Sequence, residues 1–156
     1  MEGYKLTYHV DMVFCIDATG SMRHVLDLVK QNALNLYRDI VAEVVDYFRE
    51  RTAQLRERGV RRIVVDPGFG FAKTLEQNYE LLRGLHRLAE LGYPVLAGVS
   101  RKSMIYKLLG TTPAEALNGT TALHWECLRQ GAAILRVHDT REAVEVVRMF
   151  DQFMQA

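Results

Sequence analysis

Four short runs of apolar and β-branched residues recur along the chain, and each is followed by a longer segment in which apolar residues have helical spacing. The runs are residues 10–16 (VDMVFCI), 62–65 (RIVV), 94–99 (PVLAGV) and 133–137 (AILRV). Continuous apolar runs of this length are typical of strands that are buried on both faces. Their alternation with helices predicts an α/β fold of four βα units, with a parallel sheet and right-handed crossovers.

The chain length limits which α/β fold is expected. A chain of 156 residues can bury a sizeable core, but a complete eight-stranded (β/α) barrel takes about 250 residues. We therefore expect either half of a (β/α)8 barrel or an open, flavodoxin-like sheet. No linker or low-complexity tract interrupts the pattern, which predicts a single domain over residues 1–156.

One helical segment is longer than the fold requires. Residues 23–58 contain neither glycine nor proline before Gly59, and 35 helical residues would span about 50 Å, whereas a six-residue strand covers about 20 Å. Either the helix breaks near residues 37–41 or it overhangs the sheet.

Composition excludes several classes of protein. The 20 basic and 19 acidic residues nearly cancel, giving a formal net charge of +1, and no basic stripe indicates a nucleic-acid partner. No run of about 18 apolar residues is present, so neither a membrane span nor a signal peptide is predicted. Two distant cysteines, Cys15 and Cys127, are expected to be reduced and buried, as in a cytoplasmic protein.

Polar residues follow all four predicted strands. Ligands bind at the carboxyl ends of parallel strands, in open sheets and in barrels alike, so these residues are expected to share one rim. They are Asp17, Thr19 and Ser21 after the first strand, Asp66, Gly68, Phe69 and Gly70 after the second, Ser100, Arg101 and Lys102 after the third, and Arg136 and His138 at the fourth.

The second and later strand ends suggest a site for a heterocycle and an anion. A carboxylate such as Asp66 can accept two N–H bonds from a guanidine-like edge, and the glycines beside Phe69 allow a flat ligand to approach the backbone. Lys102, Arg136 and His138 would supply donors for a phosphate or diphosphate. The alternatives are a tight turn at residues 66–68 and ordinary solvated charges.

The first strand end suggests a divalent ion. Asp17, Thr19 and Ser21 place a carboxylate and two hydroxyls within one turn, a set of hard oxygen ligands suited to Mg²⁺. The same residues are also ordinary helix N-cap signals, and both interpretations stay open on the residues alone.

Three motifs from residue 41 onward resemble the C-terminal half of dihydropteroate synthase. They are DPGFGFAKTLEQNYELL at residues 66–82, PVLAGVSRKSMI at 94–105 and AAILRVHD at 132–139. The resemblance implies a (β/α) barrel of folate biosynthesis that joins 4-aminobenzoate to a dihydropterin diphosphate and releases diphosphate in the presence of Mg²⁺.

The resemblance also implies roles for individual residues. Asp66 and Lys102 would hold the pterin, and Ser100 and Arg101 would border the aminobenzoate. Arg136 and His138 would bind diphosphate. The family's first strands supply further ligand contacts that have no counterpart in this sequence, so ligand binding without turnover is the expectation.

Residues 6–40 resemble a different family, the von Willebrand factor A domain. LTYHVDMVFCIDATGSM at residues 6–22 is similar to its first strand and to the start of its metal-ion-dependent adhesion site. This resemblance implies a chimera joined near residues 37–41. It keeps two alternative functions open, which are an adhesion-like metal-binding module and an inactive scaffold whose open sheet edges pair in a homodimer.

Overall fold

The strands are short, parallel and neighbours in chain order. They are seen in a computed structural model that describes the backbone of residues 14–17 and all of residues 39–156. β1 (Phe14–Asp17) pairs with β2 (Ile63–Asp66), and β3 (Leu96–Ala97) pairs with β4 (Ile134–Leu135). A parallel bridge between Val65 and Val95 connects β2 to β3. The predicted α/β class and parallel pairing are confirmed.

The strand order distinguishes between the two predicted architectures. A flavodoxin-like sheet places its first strand between the second and the third, whereas here β2 adjoins β3 directly. Successive strands are neighbours in a (β/α) barrel, because every crossover advances by one position. The pairing therefore favours a partial barrel.

Helices follow the strands along the chain. They are α1 (Ile40–Glu57), α2 (Leu75–Arg83), α3 (His86–Ala89), α4 (Ser103–Leu109), α5 (Leu117–Arg129) and α6 (Thr140–Gln155), with a 3-10 turn at Pro113–Glu115. Among the described residues, no helix combines the length and the apolar composition needed to cross a bilayer.

α1 begins inside the predicted break at residues 37–41. Asp39 is its N-cap, and Oδ1 accepts the backbone N–H groups of Val41 at 2.9 Å and Ala42 at 3.2 Å. Arg87 donates to the other carboxylate oxygen at 2.6 Å. A helix start is thus fixed at this point, while residues 23–38 of the predicted long helix lie outside the described residues.

The helical segment that follows β2 is interrupted at Gly84. The leucine spacing predicts one helix from Leu81 to Leu91, but α2 ends at Arg83 and α3 starts at His86. A Cβ at Gly84 would stand 2.7 Å from both Cγ atoms of Val41. The glycine therefore lets α1 approach the α2–α3 turn closely, which explains its presence within the apolar pattern.

The core lies between the strands and the inner faces of the helices. Its fully buried side chains include Val44 and Phe48 of α1, Val65 of β2, Leu81 of α2 and Met104 of α4. Cys127 of α5 is also fully buried, and burial raises the pKa of its thiol to about 12. The predicted buried thiol is confirmed for Cys127, and the side chain of Cys15 lies outside the described residues.

Candidate active site

Asp66 ends β2 and is fully buried at the carboxyl end of the strand. Its Oδ1 accepts the backbone N–H of Gly68 at 2.9 Å, and Gly68 takes the left-handed conformation with φ of 70°. The parallel register places the backbone of Asp17 beside Asp66. The first two strands therefore end at the same level of the rim, as predicted.

The loop after Asp66 is held by residues that sequence reasoning missed. Asn78 of α2 is buried, and its Oδ1 accepts the N–H of Gly70 at 2.7 Å while its Nδ2 donates to the Thr74 carbonyl at 2.7 Å. Lys73 donates to the Gly68 carbonyl at 2.9 Å. A polar residue among the apolar positions of α2 was the available signal, because a buried amide needs partners on both of its ends.

Lys102 reaches this loop from the strand end after β3. Its Nζ donates to the Phe69 carbonyl and lies 4.4 Å from the centre of the Phe71 ring, a cation–π distance. A Cβ at Gly70 would come within 2.9 Å of the lysine Cδ, so the stem of the lysine passes directly over this glycine. The Phe69 side chain is fully buried in the core, so Phe69 offers the rim its carbonyl and not its ring.

Arg136 extends from the end of β4 across β3 to β2. Its Nη1 lies 3.1 Å from Oδ2 of Asp66, and the arginine side chain is 51% exposed while the aspartate is 1% exposed. The contact lacks hydrogen-bond geometry, and Oδ2 has no hydrogen-bond donor in the described part of the chain. The predicted heterocycle and anion residues are thus in direct contact.

Ser100 and His138 form a second link between the ends of β3 and β4. The buried Ser100 hydroxyl accepts the backbone N–H of His138 at 3.2 Å and lies 2.9 Å from its Nδ1. A hydroxyl that accepts one N–H has its own proton available for Nδ1. The hydroxyl can equally accept a second N–H from Nδ1, so either tautomer keeps this contact, and Nε2 is the ring nitrogen of the exposed His138 that is left for an anion.

Arg101 has a different environment from its neighbours in sequence. Its guanidinium makes two 2.8 Å hydrogen bonds to Asp139 and a third to the Pro113 carbonyl at 2.8 Å. The hydrogen bonds between the two side chains lower the pKa of Asp139 and raise that of Arg101. Arg101 therefore joins the starts of α6 and the 3-10 turn, and its predicted contact with an aminobenzoate stays a prediction.

The described rim brings together Asp66, Gly68, Gly70, Lys102, Ser100, Arg136 and His138. The proposed metal ligands Thr19 and Ser21, and the side chain of Asp17, lie outside the described residues. Within residues 39–156, no group of three or more histidine, cysteine or acidic side chains could hold a metal ion. The described geometry can bind a hydrogen-bond-donating heterocycle beside an anion.

Comparison with known proteins identifies the family. The family model described as pterin binding enzyme matches residues 10–138. The chain belongs to this family. The match begins at residue 10, so it includes most of the segment 6–40 that was predicted to come from a von Willebrand factor A domain, and the predicted chimera stays a prediction.

Individual members of this family are similar to the chain in sequence and, where a structure is solved, in fold over the matched part. The chain is 43% identical over 122 residues to dihydropteroate synthase of Escherichia coli (strain K12), covering 77% of the chain and 43% of the relative. A Yersinia pestis dihydropteroate synthase solved with a pterine–sulfa conjugate has a TM-score of 0.74 and 35% identity, covering 76% of the chain and 48% of that structure.

A third comparison gives a similar result. Dihydropteroate synthase from Thermus thermophilus in complex with 4-aminobenzoate has a TM-score of 0.71 and 41% identity, covering 77% of the chain and 49% of that structure. The chain therefore spans slightly less than half the length of the relatives that it matches.

Proposed function

We propose that the rim binds a dihydropterin diphosphate, the pterin substrate of dihydropteroate synthases. The observation that supports this most directly is the buried Asp66 carboxylate, whose Oδ2 lacks a hydrogen-bond donor in the described part of the chain. Burial of such an acceptor without a donor is costly. A pterin carries adjacent ring and amino N–H groups, which would satisfy this oxygen.

The anion half of the proposed site lies within the same rim. Arg136 supplies a charged, partly exposed guanidinium, and His138 supplies an exposed ring whose Nδ1 is already engaged by Ser100. Charge-assisted hydrogen bonds from such groups are about twice as strong as neutral ones. Lys102 adds a cation beside the loop that follows Asp66.

The reaction that the site would serve is proposed from the relatives. The aromatic amine of 4-aminobenzoate attacks the methylene carbon of the dihydropterin, the C–O bond to diphosphate breaks, and the amine loses a proton. In this proposal Arg136 and His138 stabilise the negative charge that accumulates on the departing diphosphate. Rate acceleration depends on several positioned groups acting together, so binding is the part that the described residues support.

Isothermal titration calorimetry with a non-hydrolysable dihydropterin diphosphate analogue tests the proposal. Asp66→Asn keeps the shape of the side chain and its bond to Gly68 but removes the charge. A hydrogen bond to a charged group contributes about 1.5–3 kcal/mol, so the variant should bind roughly 10–100-fold more weakly. Absence of heat with the wild-type chain would overturn the proposal, and so would unchanged affinity in the variant.

A pair of lysine variants provides the matched control. Lys102→Ala removes the cation at the loop, whereas Lys107→Ala removes an exposed lysine on α4. Only the first should weaken binding of the analogue. Circular dichroism of each variant verifies that the fold is retained.

Mg²⁺ is a separate proposal, supported by the likeness of residues 6–22 to the start of a metal-ion-dependent adhesion site. The register of β1 and β2 places the backbone of Asp17 beside Asp66, so a carboxylate at this position would add a hard oxygen ligand near the rim. We expect Mg²⁺ to raise the melting temperature, and Asp17→Asn to abolish that increase. A melting temperature that is equal with and without Mg²⁺ would contradict this proposal and leave the pterin proposal unaffected.

A further inference from the structure

The ion pair between Asp66 and Arg136 joins two residues that the proposed function assigns to different parts of one ligand. The carboxylate is almost completely buried, and the guanidinium Nη1 of Arg136 lies 3.1 Å from its Oδ2. Removing the partner of a buried charge is strongly unfavourable. In the unliganded protein, Arg136 therefore compensates the charge of Asp66.

Gly98 makes this position of Arg136 possible. A Cβ at residue 98 would stand 2.7 Å from the arginine Nη2 and 3.0 Å from Nε. The guanidinium thus lies directly against the backbone of residue 98, just after β3, in space that any other residue would occupy. Gly98 is a positioning residue for Arg136, which sequence reasoning did not single out.

We propose that Arg136 exchanges between Asp66 and the anion, and that this exchange couples the binding of the pterin ring to the binding of diphosphate. The inference rests on the proposed function. When a pterin donates its N–H groups to Asp66, the carboxylate no longer needs the guanidinium, and Arg136 becomes available to the anion. Gly98 keeps the arginine within reach of both.

The exchange predicts the sign of the coupling. Diphosphate alone must draw Arg136 away from a buried carboxylate and leave that charge uncompensated. A pterin alone must displace the guanidinium from Asp66 without giving it a new partner. Each ligand removes the cost that the other would incur, so the two ligands bind cooperatively. Linkage requires that the pterin raises the affinity for diphosphate by the same factor as diphosphate raises the affinity for the pterin.

Calorimetry with two separate ligands measures this factor. Inorganic diphosphate is titrated into the wild-type chain with and without saturating 6-hydroxymethylpterin, and the pterin is titrated with and without diphosphate. We expect each ligand to raise the affinity of the other by at least about fivefold, within the usual range of coupling between sites. If both ligands bind and neither changes the affinity of the other, the inference is wrong while the proposed function stands. If neither ligand binds, the proposed function itself fails.

Gly98→Ala tests the structural origin of the coupling. The added methyl displaces the guanidinium from its place beside Asp66, so diphosphate alone should bind more tightly than it does to the wild-type chain, and the coupling factor should fall toward one. An unchanged coupling factor in this variant would contradict the exchange.

Arg136→Gln provides an independent measurement that does not require residue 98 to accept a side chain. In this variant, diphosphate should no longer change the affinity for the pterin. Arg141→Gln, at an exposed arginine of α6 that pairs with Glu145, should retain the wild-type factor. Equal coupling in the two arginine variants would overturn the role of Arg136.

Discussion

His124 of α5 is a buried histidine outside the candidate site. The side chain is only 2% exposed, and its Nε2 has no hydrogen-bond partner among the described residues. Burial disfavours the charged imidazolium and lowers the pKa of His124, although the nearby carboxylate of Asp139 acts in the opposite direction. Its burial could not be predicted from the sequence, because helical spacing does not reveal which face of α5 is covered.

We predict that His124 makes the protein less stable in mild acid. Between its lowered folded pKa and its ordinary value of 6.5, the unfolded chain binds more protons than the folded chain. The free energy of unfolding should therefore fall as the pH decreases below about 6.5, by at most about 1.4 kcal/mol per pH unit. Urea unfolding at pH 7.5 and pH 5.5 should show a smaller loss in His124→Gln than in the wild-type chain.

An identical pH dependence in His124→Gln and in the wild-type chain would show that His124 does not titrate differently in the folded and unfolded states.

The positions of the rim residues could be predicted from the sequence, but their contacts with one another could not. Charged residues that directly follow apolar strands can be identified from the sequence, because the apolar runs mark where the strands end. This pattern predicted Asp66, Lys102, Arg136 and His138 as rim residues. The direct contact between Asp66 and Arg136 could not be predicted from the sequence, since it depends on Gly98 lacking a side chain. The same applies to the engagement of Arg101 by Asp139, which requires the tertiary approach of two strand ends.

At the scale of secondary-structure elements, α1 and the turn between α2 and α3 pack at a distance set by Gly84. We predict that Gly84→Ala is destabilising by about 1–3 kcal/mol, because its methyl would overlap the side chain of Val41. In a Val41→Ala background the same change should cost much less. Urea unfolding of the two single variants and the double variant measures this coupling, and equal costs in both backgrounds would contradict the close approach.

The start of α1 gives a second prediction at this scale. Asp39→Ala should cost about 1 kcal/mol, because the cap to Val41 and Ala42 is lost. Asp39→Asn keeps a capping oxygen and should cost less than half as much. Arg87→Ala should be nearly neutral, since this ion pair is about half exposed and surface pairs contribute little.

The pH dependence of the cap has a defined sign. The hydrogen bond from Arg87 is the largest of the causes that lower the pKa of Asp39. The contribution of Asp39 is therefore present above its ordinary value of 3.8 and is lost as the pH falls through the lower folded pKa. A difference in unfolding free energy between the wild-type chain and Asp39→Ala that is unchanged from pH 7 to pH 3 would contradict this assignment.

Secondary structure was the most predictable feature of this chain. The four apolar runs contain or overlap the observed strands, because a strand buried on both faces leaves a continuous apolar signature. The division of the leucine-rich segment into α2 and α3 was not predicted, since a glycine within an apolar pattern is ambiguous until its packing partner is known. The sequence also did not predict that β2 lies beside β3, because the periodicity of apolar residues does not specify strand order.

At the scale of the whole molecule, the described part of the chain has exposed apolar side chains on β4 and along α6. Of the described strands only β3 pairs with β4, which leaves the outer edge of β4 uncovered by them. Ile134 on this strand is 39% exposed and Val144 on α6 is 48% exposed. A cleft of about 660 Å³ is bordered by β4 and α6 and is lined mainly by apolar side chains that include Leu135, Val144 and Val147. An open strand edge beside an apolar cleft is a common site of self-association.

We therefore predict that the 156-residue chain, produced on its own, self-associates through this side at micromolar concentration. Ile134→Lys should shift it toward the monomer, because a lysine on an edge strand opposes edge-to-edge pairing. Leu108→Lys places the same charge on an apolar residue of α4 that is 56% exposed and lies outside β4 and the lining of the cleft, and it should leave the association unchanged. Light scattering coupled to size exclusion over a range of concentrations distinguishes the cases. A wild-type chain that is monomeric throughout, or equal effects of the two lysines, would show that the edge of β4 does not drive association.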